Sequence, residues 1–114
     1  MPLLHIVTNV ELSEEAGRHL LAAASESVAA MLRKPERYVM VVLSQDQQMR
    51  FAGSSDPLAY LELKSIGLPR DATPALSAGL CELARAHLGV APDRVYVEFA
   101  DAEPSMWGWN ADTF

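Results

Sequence analysis

The sequence predicts an α+β fold made of a tandem β-α-β repeat: a four-stranded mixed sheet with two helices on one face. Three observations carry that expectation. Short strand-like apolar runs and longer four-residue periodicities alternate as β-α-β, then β-α-β, over 114 residues. The joints match, because Pro35-Glu36-Arg37 and Pro92-Asp93-Arg94 each lead into a strand and lie 57 residues apart, half the chain length. The helical stripes superpose as well, Leu20, Ala24, Val28 and Leu32 over Leu76, Leu80, Ala84 and Leu88, at a spacing of 56. Residues 1–114 are therefore read as one domain of two pseudo-repeats, about 1–57 and 58–114.

Each element has a local reason. Leu3-Leu4-His5-Ile6-Val7 is short and apolar with a β-branched end, which favours a strand. A helix is expected over Ser13 to Leu32: Ser13 suits the N-cap, Glu14 and Glu15 suit the positive end of the helix dipole, and Ala16, Leu20, Ala24, Val28 and Leu32 form one face. Pro35 stops it, and Tyr38 to Leu43 follows as the most apolar strand. Gly53-Ser54-Ser55-Asp56-Pro57 is a turn cluster ahead of a strand from Leu58 to about Ser65. Thr73-Pro74 reads as a cap with proline at the first helical position, Leu76, Leu80, Leu83, Ala84 and Leu88 as the buried stripe, and Gly89 as the stop. Arg94 to Phe99 is the last strand, and Asp101 to Phe114 is read as an irregular tail.

Right-handed crossovers put both helices on one face of such a sheet and leave the other bare. Tyr38 to Leu43 is apolar at every position, so both of its faces call for burial. The bare face is therefore expected to pack against other copies of the chain in a symmetric homo-oligomer.

Composition narrows the chemistry. Nine Lys+Arg against fifteen Asp+Glu give a net charge of −6, with no basic stripe for a phosphate backbone, so nucleic acid is not an expected partner. No apolar run approaches the length that spans a bilayer, and no signal-peptide pattern opens the chain, so a membrane is not an expected partner either. A single cysteine, Cys81, allows no internal disulfide and no dithiol centre; a reducing, cytoplasmic setting fits. His5, His19 and His87 lack metal-ligand spacing, and Cys81 lies on the second helical stripe, where a small buried hydrophobe is the ordinary reading. No dinucleotide, phosphate-loop or nucleophile-elbow motif is present.

What remains is the start of the chain. Met1-Pro2 is the kind of sequence from which methionine is removed, leaving proline as a secondary amine at the head of an apolar strand. Such an amine serves as a general base only when unprotonated at working pH, and apolar burial and a nearby cation both favour that form. Leu3, Leu4 and Ile6 are candidates for the first influence and Lys34 for the second. Lys34 has an equally simple reading as a solvated cation at a helix end.

With these features in view, the chain resembles the macrophage migration inhibitory factor family and its tautomerase relatives. The likeness runs nearly end to end. It comprises Met1-Pro2, Thr8-Asn9-Val10, Lys34-Pro35 with Tyr38, Phe51-Ala52-Gly53-Ser54-Ser55, Ser65-Ile66-Gly67, Leu80-Cys81, Pro92-Asp93-Arg94-Val95-Tyr96, Gly108-Trp109-Asn110 and Thr113-Phe114.

The resemblance implies a trimer of tandem β-α-β chains around a central channel. It implies a keto–enol tautomerase acting on a small aromatic 2-oxo acid such as phenylpyruvate, or on dopachrome-type compounds, without metal or cofactor. By position, Pro2 is the base. Lys34 and the backbone of Ile66, with neighbouring Ser65, match substrate-binding positions; Tyr96 matches a pocket residue supplied by a neighbouring subunit; Tyr38, Trp109 and Phe114 match aromatic positions at the pocket mouth. Three departures are expected to matter. Leu58-Ala59-Tyr60-Leu61 stands where mammalian relatives carry CxxC, so thiol oxidoreductase activity is not expected. Glu98 replaces a neutral asparagine, and Trp107 replaces a smaller aliphatic residue at the rim. Two rival readings follow: a cytokine-like interaction protein with a vestigial pocket, for which leaderless secretion has family precedent, and hydratase or decarboxylase chemistry on a small acid assisted by Glu98.

Overall fold

The computed structural model describes residues 1–114. Its elements run β1 (Leu3–Thr8), α1 (Glu14–Leu32), β2 (Met40–Ser44), β3 (Ala59–Ile66), α2 (Thr73–Leu88) and β4 (Val95–Ala102), then a small hairpin of β5 (Gly108–Trp109) and β6 (Asp112–Thr113). β1 is parallel to β2 and antiparallel to β3, which is parallel to β4, so the spatial order is β2-β1-β3-β4. Each β-α-β unit contributes one parallel pair, and the units join along their first strands. No helix is long and apolar enough to cross a membrane.

The alternation along the central strands shows which face is covered. Leu4, Ile6 and Thr8 of β1 and Ala59, Leu61, Leu63 and Ser65 of β3 are buried, while the residues between them are only half-buried. The buried set packs against Leu20, Ala24 and Val28 of α1 and Leu76, Leu80 and Ala84 of α2, so both helices lie on one face. Each fully buried leucine here contributes about 2 kcal/mol of apolar transfer free energy. Local signals set the helix ends as expected. The Ser13 hydroxyl accepts the Ala16 amide at 3.1 Å, and Gly89 ends α2 at φ 67°.

Four expectations are corrected. Tyr38 does not begin a strand: Glu36–Tyr38 is a 3₁₀ turn following Pro35, Val39 is the extended link, and β2 starts at Met40. The turns entering β2 and β4, Glu36–Tyr38 and Pro92–Arg94, therefore lie 56 residues apart, like the helices, and Tyr38 and Arg94 end equivalent turns. Thr73 is not a cap. A 3₁₀ turn, Arg70–Ala72, runs directly into α2, and the Thr73 hydroxyl donates to the Arg70 carbonyl at 3.0 Å instead of accepting a helix amide. The tail is not irregular: Asp101 and Ala102 extend β4, Pro104–Met106 forms a 3₁₀ turn, and β5 pairs with β6 across Asn110 (φ 53°) and Ala111 (φ 62°). Two consecutive positive φ angles mark the hairpin turn whose twist suits flanking strands.

The apolar strand β2 is an edge strand. Val41 and Leu43 pack toward the helices, whereas Met40 and Val42 are 62% and 41% exposed on the open face. That face also carries His5, Tyr60, Glu62, Lys64, Tyr96 and Glu98; no helix covers it, and Phe51 lies against Tyr96 at its β4 edge.

Candidate active site

Pro2 lies at the head of β1 with its side chain fully buried, and its carbonyl accepts the Met40 amide at 3.0 Å. That bond ties the chain start to the first residue of β2 and fixes Pro2 beside the turn that carries Tyr38. Around it opens a cleft of about 340 Å³ lined by Met1, Pro2, Leu3, Arg37, Tyr38, Val39, Met40, Trp107, Gly108, Trp109 and Phe114. The C-terminal hairpin supplies one wall. Trp109 and Phe114 stack with ring centroids 5.6 Å apart, and Tyr38 meets them edge-on at 5.6 and 6.2 Å.

Lys34 reaches the amino terminus because α1 ends in a reversal. Arg33 adopts φ 54°, its amide and that of Lys34 bond back to Ala30 and Ala29, and the chain turns toward the sheet. The Lys34 ammonium donates to the Ile66 carbonyl at 2.5 Å. Ile66 is held in turn: Gly67 takes φ 70° to end β3, and the Leu68 amide donates to Asp101 Oδ1 at 3.0 Å. Burial first, and the Lys34 ammonium second, push the Met1 amine below the usual amino-terminal value of 8.0.

The remaining expected site residues lie elsewhere. Ser65 is buried on the helix-covered face and donates to the Ile66 carbonyl only at 3.5 Å. Tyr96 and Glu98 stand on the open face of β4, at the opposite edge of the sheet from β2. The Tyr96 ring lies 4.6 Å from that of Phe51. Glu98 accepts the Tyr60 hydroxyl at 2.5 Å; this bond first, then desolvation and the Glu62 charge, push the Tyr60 phenol up to about 12. Pro2, Tyr38, Trp107, Trp109 and Phe114 thus share one cleft; Lys34, bonded to Ile66, does not line it but acts on the amino terminus through its charge, and one copy of the chain does not bring Tyr96 or Glu98 to it.

Sequence reasoning missed Arg37, whose guanidinium lies 4.7 Å from the Tyr38 centroid on the cleft wall. Its one signal was its place beside Tyr38. It also missed the loop clamp at the other edge, where Arg94 donates to the carbonyls of Phe51 and Asp56 at 2.8 Å and of Ser54 and Pro57 at 3.2 Å. No three His, Cys, Asp or Glu side chains gather in a metal-binding arrangement.

A β-α-β pair sharing one four-stranded sheet, with proline at the head of β1 against an aromatic cleft, defines the tautomerase-fold class. The chain belongs to the macrophage migration inhibitory factor (MIF) family, whose profile matches residues 1–114. Macrophage migration inhibitory factor of Meriones unguiculatus is 37% identical over 115 residues, covering 100% of this chain and 99% of the relative. Among solved structures, the homologue from Prochlorococcus marinus superposes with a TM-score of 0.92 at 38% identity, covering 98% of each chain. The Toxoplasma gondii protein gives 0.91 at 38% identity, covering 98% of this chain and 99% of that one. Proteins of this family are tautomerase-type isomerases.

Proposed function

We propose that the chain is a cofactor-free keto–enol tautomerase of aromatic 2-oxo acids, with Pro2 as general base once Met1 is removed. The observation that carries this reading is the convergence of burial, the Lys34 cation and an aromatic cleft on the Met1-Pro2 segment. Both influences that depress the Met1 amine would act on the Pro2 nitrogen that replaces it. The unprotonated amine accepts the proton from the carbon α to the ketone. The C–H electron pair becomes the C=C bond, the carbonyl pair moves to oxygen, and that oxygen takes a proton from the Pro2 ammonium or from water to give the enol. Lys34 binds the substrate carboxylate, the Ile66 backbone helps hold its oxygens, and Tyr38, Trp107, Trp109 and Phe114 enclose the ring.

In the same reading three copies close a ring. The β4 edge of one copy brings Tyr96 and Glu98 to the Pro2 cleft of the next, a heterologous contact that closes by rotation. The exposed Met40, Val42 and Tyr96 and the uncovered sheet face support such an assembly. A second reading, favoured by the name that relatives such as the Meriones protein carry, is an interaction protein whose cleft is a docking surface.

Comparing wild type with Pro2→Gly on phenylpyruvate separates the two. The expected outcome is a loss of about 10²- to 10³-fold in kcat/KM with unchanged circular dichroism. Turnover that survives the substitution, or active protein whose intact mass retains Met1, overturns the base assignment.

A further inference from the structure

We infer that Arg37 is a substrate-specificity residue: its guanidinium selects aromatic 2-oxo acids that carry a second anionic group at the end of the ring remote from the 2-oxo acid. The inference rests on the proposed tautomerase reading and extends it from the reacting end of the substrate to the far end.

Arg37 is the one Lys or Arg side chain in the lining of the cleft. Lys34 donates to the Ile66 carbonyl at the amino-terminal side, where its remaining donors serve the 2-oxo acid end of the substrate. Arg94 spends its donors on four backbone carbonyls, and Arg18 and Arg85 pair with Glu14 and Glu82. Arg37 has no carboxylate within salt-bridge distance and donates to no protein acceptor, yet it lies on the wall of the cleft. Its face is occupied by Tyr38 at 4.7 Å. A guanidinium stacked in this way keeps its N–H edge free, and that edge matches a carboxylate in a planar, two-point fashion. The ring that holds it belongs to the cluster with Trp109 and Phe114, so an aromatic ligand lying against that cluster brings its far substituent toward the guanidinium. The Arg37 guanidinium on the cleft wall, with the Lys34 charge near the amino terminus, gives this end of the molecule a local positive field that favours a dianion over a monoanion against the chain's net charge of −6.

The test reads binding apart from turnover. Tryptophan fluorescence, reporting through Trp107 and Trp109, gives Kd for terephthalate and for benzoate with the intact, Met1-processed protein. Turnover of 4-carboxyphenylpyruvate and phenylpyruvate gives the corresponding kcat/KM ratio. Wild type should prefer the dianion in both measurements, Arg37→Met should cut the preference about fivefold through Kd and KM, and Arg37→Lys should keep only the part that charge without the two-point geometry supplies. Added salt should compress the wild-type preference. If neither oxo acid is turned over, the tautomerase reading fails, while the terephthalate-to-benzoate ratio still decides whether Arg37 selects the second anion. An unchanged ratio in Arg37→Met overturns the inference. So does a variant that dissociates the assembly at constant ratio, which assigns Arg37 to a contact between copies.

Discussion

The two β-α-β units share a plan, yet their equivalent turns serve opposite ends. The turn entering β2 finishes on Tyr38, which meets Trp109 and Phe114 edge-on and leaves a cleft between them. The turn entering β4 finishes on Arg94, which fills its surroundings by bonding four carbonyls of the 51–57 loop and seating Phe51 against Tyr96. One turn keeps space open and the other closes it. The strands differ likewise: β1 begins at a chain end, with Pro2 before it, whereas β3 begins at buried Ala59 inside the chain, where no amine exists. Repetition supplies a scaffold, and on the proposed reading chemistry enters where the repeat is broken by a terminus and by peripheral segments.

That contrast can be broken deliberately, beyond the loss already expected of Pro2→Gly. Arg94→Met should act on stability, costing about 2 kcal/mol because four carbonyls lose a charged donor, and lowering Tm by about 8 °C by circular dichroism. A comparable loss of tautomerase activity in protein that remains folded would show that the closed unit also reports to the cleft.

Lys34→Ala, in the open unit, should leave the fold largely intact and lower kcat/KM for phenylpyruvate about tenfold. In the wild type kcat/KM should rise with pH through the Pro2 amine, with its inflection below the ordinary value of a proline amine, and removing the Lys34 cation should move the inflection upward. In a chain that keeps Met1, stability follows the same sign: an amine held neutral makes the unfolded chain bind more protons, so the penalty is absent above pH 8.0 and grows as pH falls toward the folded-state value.

Smaller effects sharpen the comparison. Ala111 sits at φ 62°, a conformation that disfavours a Cβ, so Ala111→Gly should stabilise the hairpin by about 0.5 kcal/mol in thermal unfolding. At the β4 edge, ultraviolet titration should find one tyrosine ionising near pH 12, and Glu98→Gln should return it toward the ordinary range.

How far the sequence revealed this molecule depended on whether a signal was local. The helices were legible because Leu20, Ala24, Val28 and Leu76, Leu80, Ala84 repeat with the helical period, and Ser13 and Gly89 act on their immediate neighbours. The C-terminal hairpin was not, since Asn110-Ala111 lacks the glycine that usually announces such a turn. The exposure of β2 was also hidden: an apolar run does not say which strands will flank it. In the site, Pro2 stood out once other chemistry was eliminated, whereas Tyr38, Trp107, Trp109 and Phe114 were legible only by resemblance, because they come from a turn and a tail that have no period. Arg37 escaped because nothing local separates a free turn arginine from a stacked one.

Met1 lines the same cleft as Pro2. On the proposed chemistry its excision both empties part of the cavity and converts an amide nitrogen into a base. The initiator methionine is then a propeptide one residue long, and the specific activity of a preparation measures the fraction of chains that have shed it.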